Sequence, residues 1–488
     1  MRSKGIWFFI TASLQVAMLF GAEATEYKFH GKAWFEGGRI MNATDTLVNG
    51  AAPDNVLNLN GNILQSVGAQ FTIDAALTEH LEGAFGFGAY KVSQALGKGP
   101  TSLLAIAMFQ NFLTESRLTY FVGEKEAPTL SFTLGSFPYK YNSDVKNLGL
   151  YLLKGPVYPG ILMGGFQDFS TDTTKSTMLG LKVHHQVGSF SQDFLLNNER
   201  EVPPTLDWSL GYVAKYQAGP LQLGVGANFY RLIPYKSKLE TPGKNYSDAE
   251  LNFQKSVYIE VDSGSTDTTF FTHQGTKLMG MFSLDFQKIL GMSMSNPDDL
   301  KLYGEMGVIG VKNYGKVYND ISKRIPAMVG FNIPTGGILT HLSLEVEYYG
   351  ALYRNDMARL GSNNMVANWM IQRHPVPSPK PVDYSDYGID TLTGFWIRPD
   401  PIDPAKADTI KVKGTAFDKS NQTKDNLKWA LVFDKEISKH ISIMGQIAND
   451  HYRPKSYSTG VIKAEGGTQE LFSDPSDWYF MFRMGYFF

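Results

Sequence analysis

Hydrophobic and polar residues alternate along much of the chain with a period of two, the pattern of β-strands. In the last segment, 475–488, Asp477 and Arg483 lie on one face, and the other face is apolar or aromatic. Ten extended residues tilted by roughly 40° cover about 25 Å, the height of the apolar band of a transmembrane barrel, whereas soluble strands are usually shorter. The length therefore favours a membrane-spanning strand. The residues of the apolar face are Trp478, Phe480, Phe482, Met484, Tyr486 and Phe488.

Other segments repeat this alternation, and their apolar faces carry no formal charge. A charge at the centre of a bilayer costs about 2–4 kcal/mol, so an uncharged face is what contact with lipid requires. The least regular segments are 115–123, 190–198 and the turn 289–298, and an error there would change the count to roughly 14 or 18. The pattern predicts about sixteen strands, at 27–36, 65–77, 80–91, 115–123, 129–137, 176–186, 190–198, 205–217, 220–231, 274–288, 299–311, 326–333, 339–350, 425–434, 440–450 and 475–488.

The connections between these segments alternate between short and long. This asymmetry is typical of transmembrane barrels with short periplasmic turns and long extracellular loops, and an even strand number leaves no unpaired edge in lipid. The sequence therefore predicts an all-β fold, a single antiparallel up-and-down β-barrel over 25–488. The long extracellular loops are predicted near 37–64, 92–114, 138–175, 232–273, 351–424 and 451–474.

The first residues have the layout of a secretory signal peptide. Arg2 and Lys4 precede an apolar run over 6–20, and Ala22 and Ala24 supply small residues at a cleavage site, so residues 1–24 are predicted to direct export. A single anchoring helix is the alternative, although the run is short for a bilayer. The formal net charge of -2 argues against a basic nucleic-acid binder, and the absence of cysteine excludes disulfides.

The C-terminal segment supplies a resemblance to a known class of proteins. Phe480, Phe482, Met484, Tyr486 and Phe488 resemble the assembly signal that the barrel-assembly machinery recognises in outer-membrane barrels. The chain as a whole resembles porin-type barrels of Gram-negative bacteria, and 330–334 and 342–349 look like segments of poorly characterised members. The resemblance implies a homotrimer in the cell outer membrane, surrounded by lipid and lipopolysaccharide, that passes small hydrophilic solutes and binds no nucleic acid.

The alternation also predicts which charged side chains line the interior. A barrel of this size is too wide for side chains to fill, so its lumen holds water unless a loop enters it. Because both signs of charge occur, weak ion selectivity is expected, set by local opposition of charges at the narrowest ring. The wall candidates are Lys28, Lys32, Glu305, Glu345, Glu347 and Arg483.

The connection 138–175 is the candidate constriction. It mixes charged residues with an apolar run over 148–153, so it suits a segment that packs against the wall. General porins fold their third extracellular loop inward, and by that resemblance Lys140, Asp144, Lys146 and Lys154 become candidate selectivity residues. The alternative is a surface cap over the mouth of the barrel.

Other functions find less support in the sequence. The chain carries no G-x-S-x-G elbow, H-E-x-x-H helix or P-loop, so no enzyme activity, catalytic residue, cofactor or metal is predicted. An outer-membrane hydrolase built from distant strands remains an alternative. The Asp-rich connection 351–424 suits a solvated loop, and calcium or sugar binding there are alternatives. A surface adhesin or saccharide-binding barrel is the second candidate function.

Overall fold

The computed structural model describes the barrel wall and parts of its connections. The predicted signal peptide, Lys154 and most of 351–424 lie outside the described residues. Among the described residues, no α-helix has the length and apolar content to cross a membrane. The described residues are 26–43, 46–48, 56–58, 60–61, 63–95, 108–153, 165–167, 176–198, 207–233, 257–261, 268–272, 275–308, 310–311, 321–348, 388–389, 396–399, 407–408, 427–450, 472 and 474–488.

Sixteen antiparallel strands form one closed barrel, which confirms the predicted fold class and strand number. Each strand pairs with its neighbours in the chain, and β1 closes the barrel on β16, with Lys32 opposite Phe487 and Asn42 opposite Trp478. The strands are β1 Glu26–Asn42, β2 Ile63–Ala76, β3 Leu81–Ala95, β4 Met108–Val122, β5 Leu130–Tyr139, β6 Ser176–Val187, β7 Phe190–Asn198, β8 Trp208–Ala218, β9 Leu221–Ile233, β10 Gly275–Asp285, β11 Lys301–Val308, β12 Ala327–Asn332, β13 His341–Tyr348, β14 Leu427–Ser438, β15 Ile441–Asn449 and β16 Trp478–Phe487.

Short turns lie at one end of this barrel and long connections at the other, as the up-and-down topology requires. At the short-turn end, the helix α1 spans Phe286–Leu290 between β10 and β11. Short strands also occur in the long connections, such as Gly165–Gln167 on the edge of β6 and Val257–Val261 paired with Thr268–Thr272.

The outward faces of the strands form an apolar belt. Phe29 in β1 is 73% exposed and Leu134 in β5 is 60% exposed, although both are large and apolar. Exposed apolar side chains on so many strands would be unfavourable in water, so the belt is the surface that lipid covers. Further members are Phe71, Phe194, Val225, Met306, Leu344 and Phe482.

Many strand boundaries differ from the predicted ones by a few residues, and three of these differences have a visible local cause. β1 continues to Asn42 because its backbone pairs with both β2 and β16 beyond the glycines at 37 and 38. β4 begins at Met108 instead of 115, because a register shift opposite Gly86 and Phe87 leaves Thr114 as an extra residue and changes the phase of the alternation. β10 ends at Asp285, whose side chain accepts a hydrogen bond from the Lys288 amide and begins α1.

Two glycines face each other in the wall strands β5 and β6, which lie on either side of the connection 140–175. Gly135 lies opposite Gly180, and Gly135 has a φ of +119°, which other residues rarely adopt. A Cβ on Gly135 would lie 2.2 Å from the Ser116 carbonyl oxygen, and one on Gly180 would lie 1.9 Å from that of Leu196. Beyond this pair Tyr139 donates a hydrogen bond to Asp193 Oδ2 over 2.9 Å. The absence of side chains at this pair therefore lets β5 and β6 lie close to their outer neighbours, β4 and β7.

Candidate functional site

A segment that follows β5 fills part of the lumen, and we call residues 140–153 the lumenal loop. Its apolar side chains are buried together with inward-facing side chains of the wall, so the loop packs like a piece of protein core. This packing is the inward arrangement that the sequence predicts for 138–175, seen over its described part. The cluster contains Phe137, Tyr139, Tyr141, Val145, Leu148, Leu150, Tyr151, Leu152, Leu153, Met178, Leu195, Val213, Met279, Met281, Tyr303 and Met328.

Glu345 in β13 holds the tip of the lumenal loop. Its side chain is 0% exposed, and its two carboxylate oxygens accept hydrogen bonds from three successive backbone amides. The distances are 2.6 Å from Lys146 and 2.8 Å from both Asn147 and Leu148. Tyr303 in β11 donates its hydroxyl to the same carboxylate over 2.8 Å. Four hydrogen bonds to one buried side chain therefore fix the backbone of the loop at this point.

Glu305 in β11 holds both arms of the loop. Its carboxylate accepts hydrogen bonds from the Tyr141 hydroxyl, from Asn142 Nδ2 over 3.2 Å and from the Tyr151 amide over 2.8 Å. Burial, and then the neighbouring Glu305, raise the pKa of the Tyr141 hydroxyl well above its usual value. Tyr141 therefore keeps its proton and remains a donor.

Two further carboxylates complete the attachment. Glu347 in β13 accepts the Tyr151 hydroxyl over 2.9 Å, and Asp450, just after β15, accepts Asn147 Nδ2 over 2.6 Å. The loop thus reaches from β5 across the lumen to the end of β15. Because the wall strands β8–β13 lie beneath it, we call them the covered wall.

Basic residues also contact the lumenal loop. Lys301 in β11 lies 3.2 Å from Asp144 and 2.6 Å from Asp298. Lys215 in β8 donates to the Tyr141 carbonyl over 3.3 Å, and Lys140 donates to the Val145 carbonyl over 2.7 Å within the loop. These contacts neutralise the loop carboxylate and satisfy carbonyls that leave regular secondary structure.

The strands on the other side of the lumen, β16 and β1–β4, form what we call the open wall. Glu36 in β1 and Arg483 in β16 are opposite each other in the closing strand pair, and Arg483 Nε donates to Glu36 Oε2 over 2.8 Å. Both side chains are nearly buried. This ion pair joins the first and last strands of the barrel.

Arg117 in β4 is the centre of a second group of charges on the open wall. Its guanidinium lies 3.0 Å from Glu115, 3.7 Å from Glu82 and 3.8 Å from Asp74. It also donates to Thr119 Oγ1 over 3.1 Å. One cation therefore faces three carboxylates, of which Glu82 also pairs with Lys125 over 2.9 Å.

The predicted wall candidates lie on both the covered wall and the open wall. Glu305, Glu345 and Glu347 lie on the covered wall beneath the loop, and Arg483 lies on the open wall. Lys28 is largely exposed and pairs with Glu26 over 3.4 Å, while Lys32 is half-buried. Their predicted role in selectivity stays a prediction.

The predicted selectivity residues of the loop differ in burial. Asp144 is buried against Lys301, whereas the side chains of Lys140 and Lys146 are partly exposed.

The residues of the predicted assembly signal all point outward and are exposed, and recognition by the assembly machinery stays a prediction. They are Phe480, Phe482, Met484, Tyr486 and Phe488.

Sequence reasoning missed Arg117, Glu115 and Asp450. The bulge at Thr114 obscures the face of the first two, because alternation read across an extra residue assigns side chains to the wrong side. Asp450 follows a strand end, where alternation stops. Glycines inside strands at 135 and 180 were an available signal, since strand glycines often mark bends or close approaches.

The architecture now defines the fold class. Sixteen strands enclose an interior too wide for wall side chains to fill, and the connection after the fifth strand enters that interior. The chain is a closed sixteen-strand β-barrel with a segment inside its lumen, an architecture consistent with porin-type barrels. Among the residues that the structure describes in this barrel, no group of three or more His, Asp or Glu side chains is arranged to hold a metal ion.

Comparisons with known proteins add likenesses to solved barrels. No protein-family model matches this chain, and no curated protein matches it. A double mutant of Rh. blastica porin has 6% identity and a TM-score of 0.41, with 95% of this chain and 100% of the other covered. Salmonella typhi OmpF in complex with daunomycin has 9% identity and a TM-score of 0.41, with 95% and 97% covered.

Proposed function

We propose that this protein is an outer-membrane channel for the passive diffusion of small hydrophilic solutes, narrowed by the lumenal loop. The observation that carries the proposal is the attachment of the loop to Glu305 and Glu345, because it places a fixed segment across a lumen that is otherwise too wide to discriminate. On this proposal the barrel needs no catalytic residue or cofactor.

The two walls would then contribute differently to permeation. The covered wall is occupied by the loop, so solutes pass along the open wall, where Arg117 and its carboxylates face the lumen. Lys140, Lys146 and Lys154 would border the passage from the loop side, together with Asp144, and Lys28 and Lys32 from the start of β1. Because both signs of charge are present, we expect weak overall selectivity between small cations and anions.

The proposed channel would lie in the outer membrane of the cell. Export by the segment 1–24 would place the short turns in the periplasm and the long connections outside the cell. The C-terminal aromatic residues would direct assembly by the barrel-assembly machinery into a membrane of lipid and lipopolysaccharide. We also propose that three copies of the chain form a homotrimer in that membrane.

Conductance in planar bilayers with sugars of graded size tests this proposal. The mature protein should give stepwise conductance that small sugars reduce and large sugars leave unchanged. A variant lacking 144–156 should show larger steps and admit larger sugars. A folded barrel without conductance would reject the channel and favour the adhesin or saccharide-binding alternative. Unchanged steps in the deletion variant would reject the narrowing by the loop.

A further inference from the structure

The short-turn end of the barrel carries an unusual apolar surface. Most connections there are tight, but 286–300 contains α1 and packs beside the turn 333–340. We call these two segments the platform. Large apolar side chains project from both of them, with Ile338 76% exposed and Leu290 60% exposed. Ile289 and Met292 are also exposed.

The platform is a fixed structure, since buried polar contacts hold its backbone. Gln287 in α1 is buried, and its Nε2 donates to the carbonyls of Asn296 over 2.8 Å and Asp299 over 2.7 Å. Its Oε1 accepts the Met294 amide over 2.9 Å. The exposed apolar side chains therefore belong to an ordered surface.

Contacts also tie the platform to the outer face of the barrel. Lys435 lies on the outward row of β14, and its Nζ donates to the Gly337 carbonyl over 3.0 Å. A Cβ on Gly337 would lie 3.5 Å from Ser295 Oγ, so the two segments of the platform meet at this point. Phe433 lies on the same row of β14, and the exposed Ile437 follows at a register shift between Glu436 and Ser438. The platform is thus in contact with the outward row of a strand of the belt that lipid covers.

We propose that the platform binds the surface of the lipid bilayer at the short-turn end. Ile289, Leu290, Met292 and Ile338 would enter the interfacial layer of that leaflet, because exposed apolar side chains gain from leaving water. Lys288, whose side chain is 62% exposed beside Asp285, would remain at the level of the phosphate groups. The proposal rests on the membrane span of the barrel and is independent of conductance.

Single spin labels test the proposal, because a chain without cysteine accepts one thiol at a chosen position. Leu290→Cys and Ile338→Cys would be labelled in the full barrel, reconstituted in vesicles of phosphatidylethanolamine and phosphatidylglycerol. Val225→Cys on the lipid-facing row of β9 is the lipid control, and Glu124→Cys in the short turn before β5 is the water control. Collision with oxygen, which concentrates in lipid, is compared with collision with a water-soluble nickel chelate.

The ratio of oxygen collisions to chelate collisions should be clearly higher for the labels at 290 and 338 than for the label at 124. It should approach the ratio for the label at 225. Values equal to those at 124 would overturn the proposal and leave the platform open to water. Labels shielded from both reagents would also overturn it, since protein, such as a second copy of the chain, would then cover the platform. Lipid-exposed labels on a barrel that does not conduct would reject the channel alone.

Discussion

The covered wall and the open wall both present carboxylates to the lumen, but these carboxylates have different partners. On the covered wall, Glu345 accepts three backbone amides of the lumenal loop. On the open wall, Glu82 and Asp74 face the guanidinium of Arg117 at 3.7 and 3.8 Å. Carboxylates on the covered wall thus position a segment of the chain, whereas those on the open wall surround a cation in the lumen. The difference depends on whether the lumenal loop packs over the carboxylate.

The largest effect is expected from removing the carboxylate that positions the loop. Glu345→Ala leaves three amides and the Tyr303 hydroxyl without their acceptor, and each buried unsatisfied donor costs about 1–3 kcal/mol. The loop should therefore leave the wall, and single-channel conductance should rise severalfold.

Two control variants are compared with Glu345→Ala. Glu345→Gln keeps an acceptor oxygen of the same shape and should raise conductance less than Glu345→Ala. Glu79→Gln, on an exposed short turn, should leave conductance unchanged. A Glu345→Ala barrel with the conductance of the original protein would show that the loop is held by other contacts.

The next largest effect is expected at the glycine pair in β5 and β6, the strands that precede and follow the lumenal loop. Gly135→Ala adds a methyl group 2.2 Å from the Ser116 carbonyl oxygen at a φ of +119°, a conformation that costs other residues about 1–3 kcal/mol. We expect a lower free energy of unfolding in urea and a larger conductance. Gly280→Ala is the matched control, because a Cβ there meets nothing within 4 Å. Equal losses of stability in both variants would contradict the role of the glycine pair.

A smaller effect is expected on the open wall. Arg117→Gln removes the cation that faces three carboxylates, so the ratio of cation to anion permeability should rise while conductance changes little. Reversal potentials in a salt gradient measure this ratio. Lys125→Gln, which removes a cation from a turn outside the strands, should change the ratio less. A shift toward anions in Arg117→Gln would disprove the assignment of the passage to this wall.

The smallest effect is expected at the exposed end of β1. Lys28 and Glu26 form a pair at 3.4 Å with both side chains largely exposed, and such pairs contribute about 0.2–1 kcal/mol. Lys28→Gln should leave the urea midpoint and the conductance close to those of the original protein. A clear change in selectivity would show that Lys28 lies at a narrow part of the lumen.

The fold was predictable because lipid on one side and water on the other impose a strict alternation on every strand. The strand number and the inward face of residues such as Glu305 and Arg483 follow from it. The alternation fails at Thr114, where an extra residue changes its phase, and at Asn42, where backbone pairing continues without an apolar face. Strand boundaries depend on such local features.

The roles of residues in the lumen were less predictable. Alternation places Glu345 and Glu82 on the same inward face, and it contains no information about which of them the loop covers. That distinction arises from contacts between residues far apart in the sequence, such as Leu148 with Glu345 and Asn147 with Asp450. Tertiary contacts of this kind leave no periodic signal.

We propose that the position of the lumenal loop sets the conductance of the barrel. The most direct test of this claim is a crosslink between Asn147→Cys and Asp450→Cys, whose native side chains meet at 2.6 Å, introduced into the Glu345→Ala variant. We expect a high conductance before the two thiols are joined by a short bifunctional reagent, and a return to the conductance of the original protein afterwards. A conductance that stays high after complete crosslinking would contradict the claim.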